Sequence, residues 1–358
     1  MDKEAPTFTF SRRAFLGGCA AAGAGLFVAG GIAGANLDLF DLRTGEATPP
    51  DPPPPPPPGG HTPPLGGSAL RKISDEGVLT RLAILSDLHY THRTPAIEKF
   101  TVALGTLGWV APGIDAFFLL GDVSLNGADD ELEVFATETA EHLQAIYPKA
   151  PLMHVLMGNH DYWEGSQKSF EALFKNHVAA SQFVAEQNTV AQLPGASIIK
   201  LNGLGSYETD KMDYTMQYDF LKQALDEASS NRPDDAILVM SHEPPLHMEL
   251  PEDFECGLYG QGTSKDLVEL MQRYPQVRMF SGHIHNNLDR GGSINTDLGF
   301  TSVHTSTIGS CYFYKGHLED KKEIGSQGIL LDIMEDKRLV VHLLDFDRQE
   351  QLGEPVEL

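Results

Sequence analysis

The chain has 358 residues, 41% of them hydrophobic, and a formal net charge of −24 from 50 acidic against 26 basic side chains. Such length and apolar content suit one large core and exclude a chain disordered throughout. The acidic balance argues against nucleic acid or anionic lipid as partners, because those need clustered lysine and arginine. Three cysteines, Cys19, Cys256 and Cys311, are too few for a disulfide framework, and whether the last two pair is open.

Ser11-Arg12-Arg13-Ala14-Phe15-Leu16 precedes a weakly apolar, glycine- and alanine-rich run to Ala35. The segment resembles a bacterial twin-arginine leader, with Ala33-Gly34-Ala35 as the cleavage site. A membrane anchor would need roughly 20 strongly apolar residues, and glycines dilute this run. Leu16-Gly17-Gly18-Cys19 has the outline of a lipid-attachment box, but the apolar run follows the cysteine where it ought to precede it, which excludes lipidation. Residues 1–35 are therefore expected to be a signal peptide that engages the twin-arginine translocase. The protein is expected in the periplasm, at the cell surface or outside the cell, touching the membrane only if the leader stays uncleaved.

Residues 36–70 contain Pro49, Pro50 and an unbroken run from Pro52 to Pro58. Proline supplies no backbone donor, so this stretch reads as a disordered, semi-rigid polyproline linker, either a stalk or a plain connection. The folded domain is expected from about Arg71 to residue 358.

Short apolar runs at Leu82–Ser86, Ala116–Leu120, Leu152–Met157, Ile237–Ser241 and Val277–Ser281 read as strands, and helical periodicity fills most gaps between them. Glu131–Ile146, Tyr218–Ala228 and Ser264–Arg273 each gather apolar residues on one face, with Ser264 as an expected N-cap. Gly328–Met334 and Leu339–Phe346 flank the turn Glu335-Asp336-Lys337 as a hairpin, expected to belong to an antiparallel second sheet. Residues 162–213 and 243–262 are weakly patterned and, lying beside polar motifs, are expected to be substrate loops. The expected fold is α/β: a two-sheet β-sandwich flanked by helices, in four layers.

Each of the five strand-like runs ends in a polar motif: Asp87-Leu-His89, Gly121-Asp122, Gly158-Asn159-His160-Asp161, Ser241-His242 and Gly282-His283-Ile-His285. The carboxyl ends of strands are where open α/β sheets keep their sites. Asp87 and His89, two apart, can grip one cation. Asp122 follows a glycine that permits close backbone approach, and its two oxygens can bridge a pair of ions. Asn159 offers an amide oxygen and His242 an imidazole, while His283 and His285 can address neighbouring ions from one loop. The two ligand carboxylates would face four positive charges from two divalent cations, so the pocket can attract an anion that the acidic surface repels.

The ordered set Asp-x-His, Gly-Asp, Gly-Asn-His-Asp, His and Gly-His-x-His resembles the calcineurin-like metallophosphoesterase superfamily over roughly residues 80–346. That resemblance implies a first metal held by Asp87, His89, Asp122 and His285 and a second held by Asp122, Asn159, His242 and His283. It also implies a bridging hydroxide as nucleophile and His160 as general acid, with Asp161 supporting the ligands. The donors are nitrogen and oxygen only, which suits manganese, iron, zinc or cobalt. His92, His154, His247 and His304 are taken as ordinary, although His92 and His247 lie near ligands.

Departures narrow the branch. The serine/threonine phosphatases of this superfamily carry Gly-Asp-x-x-Asp-Arg-Gly, whereas this chain has Gly121-Asp122-Val123-Ser124-Leu125-Asn126-Gly127. Purple acid phosphatases place a metal-binding tyrosine where Leu125 stands. What remains resembles the compact bacterial phosphodiesterase-like branch, so a small phosphodiester is the expected substrate. An exported phosphomonoesterase or nucleotidase is the alternative, and a non-catalytic scaffold or a nuclease ranks lower.

Overall fold

The computed structural model describes residues 67–92, 94–206, 211–245, 261–290, 293–309 and 325–358. The expected leader, most of the proline-rich segment, His247, Cys256 and Cys311 lie outside the described residues. Among the described residues, no helix is long and apolar enough to cross a membrane.

The strands are β1 (Gly67–Ala69), β2 (Val78–Leu85), β3 (Ala116–Leu120), β4 (Leu152–Leu156), β5 (Phe183–Val184), β6 (Thr189–Leu193), β7 (Ala196–Leu201), β8 (Leu204–Ser206) and β9 (Lys211–Asp213). There follow β10 (Ala236–Ser241), β11 (Val277–Ser281), β12 (Ile294–Asn295), β13 (Thr301–His304), β14 (Gln327–Met334), β15 (Leu339–Asp345), β16 (Glu350–Leu352) and β17 (Val356–Glu357). One sheet has the order β1-β16-β15-β14-β2-β3-β4-β5, with β17 against β15; the other runs β12-β13-β11-β10-β7-β6, and β8 pairs with β9.

Each sheet has a parallel centre, β2-β3-β4 in the first and β7-β10-β11-β13 in the second. Parallel strands need covered faces, and these strands are apolar at successive positions because both their faces are buried. Along β3, Phe118 and Leu120 join Ile84, Leu238, Met240 and Phe280 in the interior between the sheets. Phe117 and Leu119 instead join the cluster that contains Phe100, Leu104 and Phe135 of the helices Ala96–Val110 and Asp129–Ile146. The same alternation on β10 sends Leu238 and Met240 inward and Ile237 and Val239 toward the cluster holding Leu221 and Leu225 of the helix Tyr218–Asn231. Helix, sheet, sheet and helix make the four layers.

Four details differ from expectation. The hairpin β14-β15 extends the first sheet, because β14 pairs antiparallel with β2 and its register sets Ile329 against Ile84 and Leu331 against Leu82, all facing the shared interior. Ser264 lies inside a helix that starts at Gln261, so it is not the cap. Within the weakly patterned 162–213 stretch sits β7, a central strand whose Ser197 and Lys200 mask its character; Lys200 is fully buried and donates to the Val184 carbonyl at 3.0 Å. Finally, β1 pairs with β16, so the domain begins before Arg71.

A buried ion pair ties the amino-terminal segment to the first sheet. Arg81, 1% exposed, stands opposite Asp332 across β2 and β14 and donates to both its carboxylate oxygens at 2.6 and 2.8 Å. The same guanidinium reaches the Asp75 carboxylate and, at 2.7 Å, the Ser74 carbonyl. Burial alone would raise the Asp332 pKa, but Arg81 and the nearby His342 outweigh it and hold the carboxyl below its usual range. A depressed carboxyl pKa stabilises the fold above the unfolded value of about 4, and that contribution fades as pH falls through the folded value. Asp332→Ala, which strands a buried guanidinium, is expected to cost about 3 kcal/mol in urea unfolding at neutral pH. The gap from wild type should narrow in acid, and a neutral-pH loss of only about 0.5 kcal/mol, the scale of exposed pairs, would contradict this account.

Candidate metal centre

The carboxyl ends of β2, β3 and β4 meet those of β10 and β11 at one rim, and the chain turns sharply after β2, β3 and β11. Asp87, His89, Asp122, His283 and His285 all adopt positive φ, between 48° and 73°. Aspartate and histidine are among the few side chains that tolerate this left-handed region. Two glycines make room. A Cβ on Gly158 would lie 2.5 Å from the Asp122 backbone nitrogen and 2.7 Å from His242 Cε1, and one on Gly282 would collide with Ser86 and the Asp87 carboxylate.

The seven expected ligand side chains converge. His285 Nε2 lies 3.1 Å from Asp87 Oδ1 and 2.9 Å from His89 Nε2, which is itself 3.5 Å from Asp122 Oδ2. On the other side, His242 Nε2 is 3.4 Å from Asp122 Oδ2, 3.0 Å from Asn159 Oδ1 and 3.2 Å from His283 Nδ1. Asp87, His89, Asp122 and His285 can each offer a donor atom within 4.8 Å of the others, and so can Asp122, His242 and His283. Asp122 belongs to both groups.

Hydrogen bonds between the sheets fix this convergence. His242 Nδ1 lies 2.8 Å from the Leu120 carbonyl at the end of β3, which places the proton on Nδ1 and leaves Nε2 facing Asp122. The His283 amide donates to Asp87 Oδ2 at 2.8 Å, and the Thr307 hydroxyl donates to the Asp87 carbonyl at 2.6 Å. Asp161, fully buried, accepts from the amides of Val123, Ser124 and Gly158, clamping the turn after β3 to the turn after β4. Burial and the neighbouring Asp122 charge push its pKa up to about 7.

The electrostatics suit cations. Asp87 and Asp122 are 0% and 1% exposed, and among the described residues their ion-pair partners are histidines. Burial would raise both carboxyl pKa values, but those histidines outweigh it and hold both groups below their usual range. Burial drives His89 and His283 down to about 3, so their imidazoles are neutral. For His242, burial also acts downward, yet Asp122, Asp87 and Glu243 prevail and raise it to about 10. Two buried carboxylates with no lysine or arginine among those partners, surrounded by imidazole nitrogens, fit divalent transition-metal ions and nitrogen–oxygen coordination.

His160, half-buried, sits beside this cluster. Its amide donates to Asp122 Oδ1 at 3.0 Å and its Nδ1 lies 2.9 Å from the Leu125 carbonyl. Of the other histidines, His154 stacks on Phe118 in the interior, and His92 is a surface group between Tyr90 and Asp130. His304 is less ordinary than expected: it is fully buried at the end of β13, cross-strand from Ser281 beside the Gly282 turn. Sequence reasoning also missed the 305–309 segment, which threads beneath Asp87 with Ile308 and Gly309 amides bonded to the Ser86 and Asp87 carbonyls. Its polar run Thr305-Ser306-Thr307 was the available signal.

Comparison with known proteins agrees with this geometry. The family model for the calcineurin-like phosphoesterases matches residues 80–287. No curated protein matches the chain in sequence. Among solved structures, GAP50, the anchor in the inner membrane complex of Plasmodium, is 12% identical with a TM-score of 0.51 over 78% of this chain and 88% of that one. Purple acid phosphatase PPD1 from yellow lupin (Lupinus luteus) seeds is 15% identical with a TM-score of 0.50, over 78% of this chain and 53% of that one. This chain therefore spans about half the length of the lupin enzyme, and both likenesses are of fold. With the family model covering more than half of its residues, the chain belongs to the calcineurin-like phosphoesterase family.

Proposed function

We propose that this protein is an exported binuclear metallophosphoesterase that hydrolyses small phosphoesters, with phosphodiesters preferred. The observation that carries the reading is the position of Asp122, whose buried carboxylate faces both groups of donors. One ion would be held by Asp87, His89, Asp122 and His285, and the other by Asp122, Asn159, His242 and His283. When bound, two divalent ions would supply charge for the phosphoryl oxygens and acidify attacking water.

The chain's own residues do the rest. The buried carboxylates and imidazoles, with His242 giving up its Nε2 proton on binding, would hold the ions in a partly dry rim, where electrostatic attraction is stronger than in water. His160 keeps one ring nitrogen at the Leu125 carbonyl, so Nε2 is the edge left to protonate the departing oxygen. The acidic chain lacks the basic track that a nuclease needs, which supports small substrates over nucleic acid. The Leu125 side chain has no oxygen to offer, which speaks against a tyrosine-bound iron site. Hydrolysis of monoesters or nucleotides is the alternative activity. A scaffold role without catalysis is the second reading, favoured only by the fold shared with the GAP50 anchor.

Metal-loaded protein is expected to hydrolyse bis(p-nitrophenyl) phosphate, to lose activity with a chelator and to regain it with manganese or zinc. Asp122→Asn is expected to reduce that rate by more than about a hundredfold, beyond what loss of a merely orienting group causes. Full metal occupancy without turnover on any mono- or diester would favour the scaffold. Export is tested separately: replacing Arg12 and Arg13 by lysine is expected to retain the precursor in the cytoplasm, and unchanged export would refute the twin-arginine route.

A further inference from the structure

The turn after Asn159 is a single 3-10 turn, His160–Tyr162, pinned on two sides. Asp161 holds it to the β3 loop, and the Tyr162 hydroxyl donates to the Gly203 carbonyl at 3.0 Å while accepting from Asn202 Nδ2 at 2.8 Å. Two side chains of the same turn, His160 and Trp163, are left half-buried beside the rim. The Trp163 amide donates to the His160 carbonyl at 3.1 Å, and its indole lies against the imidazole with ring centroids 3.9 Å apart and planes inclined by 33°. His89 meets the same imidazole edge-on, at 4.6 Å and 87°.

A histidine side chain has two rotatable bonds, and one hydrogen bond to a carbonyl leaves the ring free to rock about that contact. A flat ring against its face removes the remaining freedom. We propose that Trp163 is a positioning residue for proton transfer: its indole holds His160 in the orientation from which Nε2 can reach the leaving oxygen. In the step concerned, water oxygen bonds to phosphorus as the bond from phosphorus to the leaving oxygen breaks. The Nε2 proton passes to that departing oxygen, and a proton released by the water restores His160. This inference rests on the assignment of His160 as general acid.

The test compares diphenyl phosphate, whose leaving group needs a proton, with bis(p-nitrophenyl) phosphate, whose leaving group needs far less. If His160 is the acid, His160→Ala should slow diphenyl phosphate by about a hundredfold and the nitrophenyl ester much less. Trp163→Ala should slow diphenyl phosphate by about tenfold, leave the nitrophenyl ester nearly unchanged and leave the bound metal per chain unaltered. Trp163→Leu, which keeps bulk without a flat ring, should resemble the alanine variant, and Trp163→Phe should recover most of the rate. The double variant should be no slower than His160→Ala alone, since groups acting through one another are not additive. Equal loss on both esters, or a Trp163→Ala loss that adds to that of His160→Ala, would overturn the positioning role. A His160→Ala variant that slows both esters alike would instead overturn the assignment of the acid.

Discussion

Two sheets that share an apolar interior have no reason of their own to bring their carboxyl ends into contact. Here the contact is made by polar groups that reach from one sheet to the other: the His242 ring to the Leu120 carbonyl, the His283 amide to the Asp87 carboxylate, and the Thr307 hydroxyl to the Asp87 carbonyl. Each bond is short and its groups are buried or nearly so, and a buried polar group that loses its partner costs roughly 1–3 kcal/mol. Sliding one sheet against the other would break all three together. The same displacement would pull His242 and His283 away from Asp122, so the stitching that holds the sandwich closed also sets the spacing of the donors.

Much of this was legible in the chain because the site lies at strand ends. The strands β2, β3, β4, β10 and β11 announce themselves as apolar runs, and the polar residue that follows each is conspicuous by contrast. The residues that resisted reading did so for definite reasons. Lys200 interrupts β7 although its stem and ammonium are buried, its charge answered by a carbonyl from β5. Ser166 and Ser169 cap the helix Gln167–Asn176 through mutual hydrogen bonds, a local signal inside a stretch whose apolar pattern is faint. The hairpin was recognisable as a hairpin, but which sheet would receive it depends on the open flank of β2, a long-range fact that alternation cannot encode.

The surroundings of the donors were less visible. Thr307 acts through a hydroxyl aimed at a backbone carbonyl 220 positions earlier in the chain, and nothing in local composition marks that pairing. Asp161 could be assigned a supporting role from its place in the motif, but its four buried donors, which bind two loops into one body, emerge only in three dimensions.

The left-handed backbone at Asp87, His89, Asp122, His283 and His285 acts as a filter on heredity as well as a geometric device. At each of these positions a mutation must first satisfy the chain's own sterics, which admit asparagine, aspartate, histidine and glycine far more readily than branched or bulky residues. A randomised library at those five codons would thus be culled by folding before any selection for chemistry began, and apart from glycine its survivors would be drawn largely from residues already able to bind ions.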